Sequence, residues 1–398
     1  MSMKNFWSLI IREFKLFFQN KVLLVLFLGA PVLYGVLVGG VYKKGKVTNL
    51  PIIVVDEDRS PLSRQLIDMF EENEVIYVAK VLNDPFSAKD EAMKTESTVV
   101  VQIPRNFSSD INYNRSTELT LFVNASNTLT SNYAMMAVNV AASTLKAGVQ
   151  IKAQQKKGVP EFVASKQFEP FKITMIKQNI RSGNYLYFML PGVLLTVLQQ
   201  VMMLGLALSF ASEFEKGTFN ELVSRSKNVF VLILVKILPY ILMSFLIFGL
   251  YYAYSIWYRM PLELEGWTFF GSTMLFLLAV SFIGVLVSIA IPSQLKATEI
   301  LMVIATPSFI LSGFTWPLSQ MPDWVVGIAK MIPLTHYLQI FRTLMIEKGT
   351  SAYLQGPIWG LAIIAIVTLI ASIILLQLKI NKAKKENKTK ENTQQAIG

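Results

Sequence analysis

Long apolar windows with at most one charged residue each are the feature that most limits how this chain can fold. A bilayer core about 30 Å thick is crossed by roughly 20 apolar residues in a helix. Windows of that kind cover residues 22–41, 185–211, 230–256, 267–291, 298–316 and 357–378. The sequence therefore predicts an α-helical membrane protein with six transmembrane helices.

Basic residues gather beside the ends of these windows. The chain carries a formal charge of +11, and its Lys and Arg residues cluster before residue 22, in the loop 212–229 and in the tail 379–398. With six spans, these regions all lie on one face of the membrane, where the positive-inside rule places them. The pattern predicts a multi-pass plasma (inner) membrane protein with both termini cytoplasmic. It argues against nucleic-acid binding and makes the tail a topology anchor or a ligand for anionic lipid.

Catalytic motifs are missing from the sequence. There is no cysteine and one histidine, and no GxxxxGK[ST] phosphate loop, nucleophile elbow, HExxH or glycine-rich dinucleotide turn occurs. These absences predict no catalytic residue, no metal site and no cofactor held by this chain. The protein is therefore expected to conduct a substrate across the membrane, to act as a scaffold or to serve as a receptor.

The N-terminal residues 1–21 predict a cytoplasmic amphipathic helix in the membrane interface. The polar stripe is Lys4, Ser8, Arg12, Lys15 and Gln19, and the apolar stripe is Trp7, Ile11, Phe14 and Phe18. Both stripes have helical spacing, which suits a helix lying in the headgroup region. A basic flank that only orients the first span is the alternative. Glu13 falls among apolar neighbours and needs a partner that the sequence does not identify.

A polar stretch, residues 42–184, separates the first window from the second. Short strands are predicted at 50–55, 75–81, 99–103, 118–123 and 172–176, and helices at 61–72, 87–94 and 129–155. Ser60 is the expected N-cap of the first of these helices, with Pro61 at its first position. Alternating strands and helices indicate an extracytoplasmic α/β domain inserted between transmembrane helices 1 and 2.

The region 185–378 holds the other five spans. Polar or polarisable side chains inside it form interhelical hydrogen bonds or line a substrate path: Gln199, Gln200, Met203, Ser308 and Ser312. Residues 317–356, broken by prolines, predict two short re-entrant helices at the outer face. There, His336 is expected to be a hydrogen-bonded hinge residue. In the first span, Gly35 and Gly39 form a GxxxG pair that allows close helix approach.

The cytoplasmic loop 212–229 carries the most informative motif. Thr218 and Glu221 have the spacing of a capping box, which predicts a short charged helix projecting into the cytoplasm. The segment Glu213-x-Glu215-Lys-Gly-Thr218, followed by Leu222, resembles the coupling helix of ABC-transporter permeases of the type-2 exporter family. The site residues that this resemblance implies are Glu213, Glu215, Lys216, Gly217, Thr218 and Glu221 in the loop, and Trp7, Arg12, Glu13, Phe14 and Phe18 in the entrance helix.

The resemblance covers most of the chain. Leu311-Ser-Gly-Phe-Thr-Trp-Pro317 and Pro333-Leu-Thr-His336 with Arg342 are similar to the fifth span and outer helices of that family. The stretch beginning Val54-Val-Asp-Glu-Asp-Arg-Ser60 is similar to its subgroup with a large extracellular domain after the first transmembrane helix. Two departures concern docking geometry: Gln19-Asn20 replaces a common Arg-Asp pair, and residues 224–229 lack a proline.

The family resemblance implies a permease dimer, preferably a homodimer, carried by two separate ATPase subunits that bind ATP and Mg²⁺. Glu213 and Glu215 then offer carboxylates to the ATPase groove or to the entrance helix. The implied function is outward movement of an amphipathic, lipid-like or polymeric substrate. The alternative is a non-transporting scaffold or receptor whose outer α/β domain binds a ligand or wall component. A secondary transporter is disfavoured, since Glu299 is its only intramembrane candidate.

Overall fold

The computed structural model describes residues 3–113, 115–168, 183–261 and 266–397, with side chains described within 6–384 of those ranges except at 167 and 168. The chain divides into two compact units. One contains Met1–Gly45 together with Lys177–Gly398, and the other contains Lys46–Ile176. The second unit lies in the sequence between the first and second apolar windows.

The α-helices of the described residues are numbered along the chain: α1 Met3–Gln19, α2 Lys21–Leu24, α3 Ala30–Val41, α4 Pro61–Glu71, α5 Ala88–Lys94, α6 Phe107–Asn112, α7 Thr128–Lys156, α8 Glu161–Phe168, α9 Tyr185–Glu215, α10 Phe219–Arg225, α11 Val229–Trp257, α12 Gly266–Ala290, α13 Gln294–Ala305, α14 Ser308–Leu311, α15 Asp323–Ala329, α16 Pro333–Phe341 and α17 Gln355–Ile397. Short π-helical and 3₁₀ segments complete them: Val25–Gly29, Leu318–Gln320, Arg342–Ile346 and Ser351–Leu354.

The smaller unit contains a four-stranded sheet of order β2-β1-β3-β4. Its strands are β1 Leu50–Asp56, β2 Ile76–Leu82, β3 Val99–Ile103 and β4 Thr120–Val123. β1 pairs in parallel with β2 and β3, and β4 is the edge strand that pairs antiparallel with β3. Four predicted strands occur near their expected places, and the fifth, 172–176, lies outside the described residues.

Helices α4 and α7 cover the apolar side of this sheet. Ile52 and Val101 of the strands pack with Phe70 of α4 in one buried cluster. At the start of α4, the Ser60 hydroxyl accepts a hydrogen bond from the Ser63 backbone N–H at 3.1 Å, and Pro61 takes the first helical turn. The predicted N-cap is therefore confirmed.

Among the residues that the structure describes, six helical segments of the larger unit are long and apolar enough to cross a membrane, as the windows predict. They are Lys21–Val41, Tyr185–Glu215, Val229–Trp257, Gly266–Ala290, Gln294–Leu311 and Ser351–Lys384. The second span is central, with 78% of its most apolar window buried against 22% for the fifth and sixth. It packs against the first, third, fourth and fifth spans.

Three spans differ from their predicted bounds. The sixth is Ser351–Lys384 instead of 357–378, and its helix continues through the predicted tail to Ile397. The second span continues to Glu215, so the first residues assigned to the cytoplasmic loop are helical. The fifth begins at Gln294 instead of residue 298 and ends at Leu311 instead of residue 316. Its helix is interrupted at Pro307, which has no N–H to continue the hydrogen-bond ladder. Beyond Leu311, Gly313 has φ +77°, a conformation that ends the helix.

Gly35 and Gly39 of the first span leave room for two tyrosine rings at the end of the third span. A Cβ at Gly35 would overlap the Tyr254 ring, and one at Gly39 would overlap the Tyr258 ring. The Tyr254 hydroxyl donates to the Val32 carbonyl at 3.1 Å. The predicted close approach is confirmed. The surface that the two glycines contact is a pair of aromatic rings, not a second glycine-lined helix.

Two short helices, α15 and α16, follow the fifth span within residues 317–356. That they are re-entrant at the outer face stays a prediction. α16 is buried against α12 and α17, because nearly every side chain along it contacts the bundle. His336 Nε2 hydrogen-bonds the Lys330 carbonyl at 2.8 Å. The imidazole ring fills the space beside Gly360, where a Cβ would overlap it. His336 is therefore hydrogen-bonded, as expected, and lies where α16 packs against α17; its role as a hinge stays a prediction.

Candidate coupling site

Four charged residues from three helices meet beside the loop that joins the second and third spans. Arg12 makes a bidentate contact with Glu213, from Nη1 to Oε1 at 2.7 Å and from Nη2 to Oε2 at 2.9 Å. Lys236 Nζ lies 2.7 Å from Glu213 Oε1 and 2.9 Å from Glu13 Oε2. Arg12 also reaches Glu13 Oε1 at 2.7 Å. Arg12, Glu13, Glu213 and Lys236 are called the four-charge cluster below.

Three of the four side chains in the cluster are buried, and Arg12 is 20% exposed. Glu213 and Lys236 are 2% exposed and Glu13 is 8% exposed. Two cations and two anions balance, and charge-assisted, bidentate hydrogen bonds are the strong class of such contacts. Removing one partner of a buried pair costs about 3–5 kcal/mol, because the remaining charge is left uncompensated. The cluster therefore holds α1, α9 and α11 in a defined arrangement.

Arg12 remains protonated in this setting. Burial lowers the pKa of Arg12, but its hydrogen bonds and Coulombic contacts with Glu213 and Glu13 outweigh burial and raise that pKa above its ordinary value. The guanidinium supplies a permanent positive charge between two carboxylates.

Aromatic packing positions α1 against the third span. Phe17 of α1 makes edge contacts with Tyr240 and Phe27, with ring centroids 5.3 and 5.5 Å apart. The Tyr240 hydroxyl donates to the Gly205 carbonyl at 2.9 Å, and a Cβ at Gly205 would overlap the Tyr240 ring. At the end of α1, the Asn20 side chain accepts from the Leu23 backbone N–H at 3.1 Å and caps the first span.

The apolar residues of α1 lie on two faces. Trp7, Ile11 and Phe18 are exposed and Phe14 is half-buried, whereas Leu9, Ile10 and Phe17 pack into the bundle. The buried face is the one that carries Glu13. Sequence reasoning identified the exposed stripe and missed the packing face, although an acid surrounded by apolar residues signals it.

Lys236 is the partner of Glu13 that the sequence left unidentified. It is a lone cation inside the apolar window of the third span, on α11. An isolated charge in such a window requires a counter-ion. The sequence contained this signal, but only the fold brings residues 223 positions apart into contact.

The predicted capping box at Thr218 and Glu221 is wrong. No side chain caps α10 at Thr218. The Thr218 hydroxyl instead donates to Glu213 Oε2, because that buried carboxylate is the stronger acceptor. Glu221 pairs with Arg225 at 2.7 Å on the exposed side of α10.

The loop turns at Gly217, which has φ +71° and so suits glycine. Glu215 accepts a hydrogen bond from the Gln294 side chain at 2.5 Å, which ties the second span to the start of the fifth. The neighbouring Lys216 is exposed. Helix α10 buries Phe219, Leu222 and Val223 and leaves a polar side exposed, formed by Asn220, Glu221, Ser224 and Arg225.

The residues predicted for a substrate path take part in packing. Gln199 Oε1 accepts from the Leu334 backbone N–H at 3.0 Å, so it bridges the second span and α16. Ser308 and Ser312 donate to carbonyls of their own helical segments, Ile304 at 2.8 Å and Phe309 at 2.6 Å. Met203 is fully buried and Gln200 is half-buried. The interhelical role fits Gln199 alone among these five.

Comparisons with known proteins agree with this architecture. Residues 21–374 match the family described as ABC-2 family transporter protein. The chain is 23% identical over 380 residues to "Probable multidrug ABC transporter permease YbhR" of Escherichia coli K12, covering 94% of this chain and 98% of the relative. It is 22% identical over 357 residues to "Inner membrane transport permease YhhJ" of the same strain, covering 86% and 89%.

A eukaryotic relative matches along most of this chain but only half of its own length. "ABC transporter G family member 20" of Dictyostelium discoideum is 22% identical over 400 residues, covering 95% of this chain and 50% of the relative. The family match covers the first five candidate membrane helices and most of the sixth, which continues to Lys384. This multi-pass membrane chain belongs to the ABC-2 family of transporter proteins.

Proposed function

We propose that this chain is the membrane-spanning permease subunit of an ATP-driven ABC exporter. The observation that carries the proposal is the connection of the loop to α1 and α11 through the four-charge cluster. Thr218 stands in the loop itself and contacts Glu213, which contacts Arg12 and Lys236. A force applied to α10 therefore reaches two other helices through buried polar contacts.

Helix α10 is the proposed docking element for a separate ATPase. Its apolar side is buried against the bundle and its polar side is exposed. A helix that docks into a groove of a partner subunit needs such an exposed side. Closure of two ATPase subunits would displace α10, and the rigid connection would shift α1 and the third span with it. ATP and Mg²⁺ bind to the ATPase subunits, and this chain binds no cofactor.

The proposed orientation places α10 in the cytoplasm and residues 46–176 outside the cell. Basic residues beside the loop and in the tail support this orientation through the positive-inside rule. Exposed tryptophans at the opposite ends of the spans match an interfacial aromatic belt: Trp257, Trp267, Trp316, Trp324 and Trp359. The chain would then belong to the subgroup with a large extracellular domain and lie in the plasma (inner) membrane.

A homodimer of permeases is the proposed assembly. The fifth span supports it, because Leu295, Met302 and Val303 are exposed on one side and Glu299 is exposed one turn inside the helix. An acid facing hydrocarbon is unfavourable, so a second permease is expected to cover this surface. Membrane lipid would contact the exposed aromatics of α1.

The proposed cargo is an amphipathic or lipid-like compound, moved outward. The Escherichia coli relative YbhR is named a probable multidrug ABC transporter permease, which supports an amphipathic small molecule over a polymer. A scaffold or receptor that binds a ligand through the outer domain would leave the four-charge cluster and α10 without a role.

Copurification tests the proposal. Protein purified in mild detergent from its native cell is expected to bring down a phosphate-loop ATPase. The double variant Asn220→Arg, Glu221→Arg changes only exposed positions on α10 and should abolish recovery of the ATPase. Glu72→Arg, an exposed position in the smaller unit, is the control and should leave it unchanged. A wild-type protein that never recovers an ATPase supports the scaffold or receptor function.

A further inference from the structure

A cavity of about 220 Å³ lies between the second, third and fourth spans at their ends remote from α10. Its wall includes Leu190 and Leu194 of α9, Tyr252 of α11 and Phe270 of α12, and Phe341 of α16 closes one side. With a rise of about 1.5 Å per residue, Leu190 lies about 35 Å along α9 from Glu213. The cavity is therefore at the opposite side of the membrane from the four-charge cluster.

The wall is apolar because its interior hydroxyl groups are already bonded. Tyr251 donates to the Leu194 carbonyl at 2.7 Å, and Ser255 donates to the Tyr252 carbonyl at 2.7 Å. Thr273 shares a 2.7 Å hydrogen bond with Tyr337. No charged side chain lines this cavity among the residues that the structure describes. A headgroup or a charged drug centre would find no partner here.

The cavity borders the part of the bundle surface that faces lipid. Tyr252 and Phe270 each line it and are each 50% exposed, on the third and fourth spans. Phe270 stacks on Phe245 at 6.0 Å between ring centroids, which forms an aromatic edge to the opening. An occupant can therefore enter sideways from the bilayer without crossing the packed core.

We propose that this cavity binds the hydrocarbon part of an amphiphile, with the polar part of that molecule left outside. An engineered cavity of about 150 Å³ lined by Leu, Ile and Phe stays dry and binds benzene. The cavity here is larger and equally apolar, so a short chain segment or a ring system fits better than water. The occupant is either a lipid of the outer leaflet or an amphiphile that reaches the site from solution.

Photolabelling of the full chain in lipid nanodiscs tests the site without any ATPase, so its outcome is independent of the proposed export function. One probe is phosphatidylcholine with a diazirine at the end of one acyl chain. The other is a dodecyl-trimethylammonium analogue with a diazirine at the chain end, added from water. The readout is the ratio of label on Phe341, which is buried in the cavity wall, to label on Leu246, which is exposed to lipid.

Two variants fill the cavity: Leu194→Trp and the milder Leu190→Phe, which serves if the first does not fold. Each should lower the Phe341-to-Leu246 ratio about tenfold, equivalent to about 1.4 kcal/mol of binding. Leu242→Trp places the same large ring on the exposed side of α11, away from the cavity, and should leave the ratio unchanged.

The probe that labels Phe341 identifies the source: the lipid probe indicates a bilayer lipid, and the ammonium probe indicates a water-borne amphiphile. Labelling by either one that both filling variants suppress supports the proposal. Absence of Phe341 label with both probes overturns it, as does a ratio that neither filling variant changes.

Discussion

Lys236 Nζ lies 2.9 Å from Glu13 Oε2, although the two residues are 223 positions apart in the chain. Each is an exception in its own segment, one a cation in an apolar window and the other an acid on the apolar side of α1. Their contact resolves both exceptions, because each of these two buried charges compensates the other. Glu213 and Arg12 complete the neutral cluster and connect it to the loop.

The balance of the four-charge cluster predicts the outcome of charge removal. Lys236→Met leaves two buried carboxylates facing Arg12 alone and should destabilise the protein by about 3–5 kcal/mol. The double variant Glu13→Gln, Lys236→Met removes one charge of each sign and should recover much of that loss. Thermal unfolding in detergent measures both. If the double variant is no more stable than the single one, the stability of the cluster does not depend on its net charge, and the prediction is wrong.

The bidentate contact of Arg12 predicts an uncoupled transporter when it is replaced. Arg12→Gln should leave the ATPase bound through α10 but strongly reduce transport and permease-dependent ATP hydrolysis, because motion of the loop no longer reaches α1. Lys15→Gln changes an exposed charge on the same helix and is the control. Proteoliposomes with the copurified ATPase give both rates, and full transport by Arg12→Gln would contradict the proposed transmission route.

The Thr218 hydroxyl is expected to hold the loop against the cluster. Thr218→Val removes its hydrogen bond to Glu213, and a bond to a charged group contributes about 1.5–3 kcal/mol. Trypsin should then cleave after the exposed Lys216 faster than in the wild type. Ser224→Ala, which removes a hydroxyl bonded only to the Glu221 carbonyl on the same helix, should not accelerate cleavage. Equal cleavage rates for the two variants would show that Thr218 does not link the loop to the four-charge cluster.

The first span provides a matched set of glycine variants. Gly35→Ala places a methyl group against the Tyr254 ring and should destabilise the protein by about 1–3 kcal/mol, as overpacking does. Gly40→Ala meets nothing within 4 Å and should be neutral or slightly stabilising, since Ala favours helix over Gly. The unfolding temperatures of the two variants are compared. If Gly35→Ala leaves the unfolding temperature unchanged, Gly35 does not pack tightly against the Tyr254 ring.

The absence of cysteine in the chain permits a direct test of orientation. A single cysteine at Glu72 in the smaller unit should react with a membrane-impermeant maleimide in intact cells. A cysteine at Asn220 on α10 should react only after permeabilisation. Both positions are exposed, so accessibility within the fold does not distinguish them. Reversed reactivity would invert the proposed topology.

Local patterns were sufficient for several structural features. Apolar windows predict six spans because the bilayer requires a length that a single chain segment either has or lacks. The Ser60 cap also depends on residues close together in sequence. The Gly35 and Gly39 pair is a local pattern too, although the tyrosines that it meets are distant in the chain. The family resemblance read from the loop and the fifth span agrees with the family that residues 21–374 match.

Contacts between distant segments were not predictable in the same way. The capping box at Thr218 failed because a better acceptor, Glu213, was brought within reach by the fold. For Gln199 and the two serines, the sequence left open whether they bond between helices or line a substrate path. In the fold, Gln199 bonds to another helix and the serines bond to carbonyls within the fifth span. Helical spacing assigns a residue to a face but does not say which neighbour that face meets.

The sequence by itself determined the number of spans, the family and the residues that need a partner, because burial in lipid constrains each segment separately. The tertiary structure alone decided which partner each one has. A buried charge must find its counter-ion wherever helix packing places it, and that placement depends on the whole bundle. Pairing Glu13 with Lys236, and Arg12 with Glu213, is therefore a property of the fold that no single segment contains.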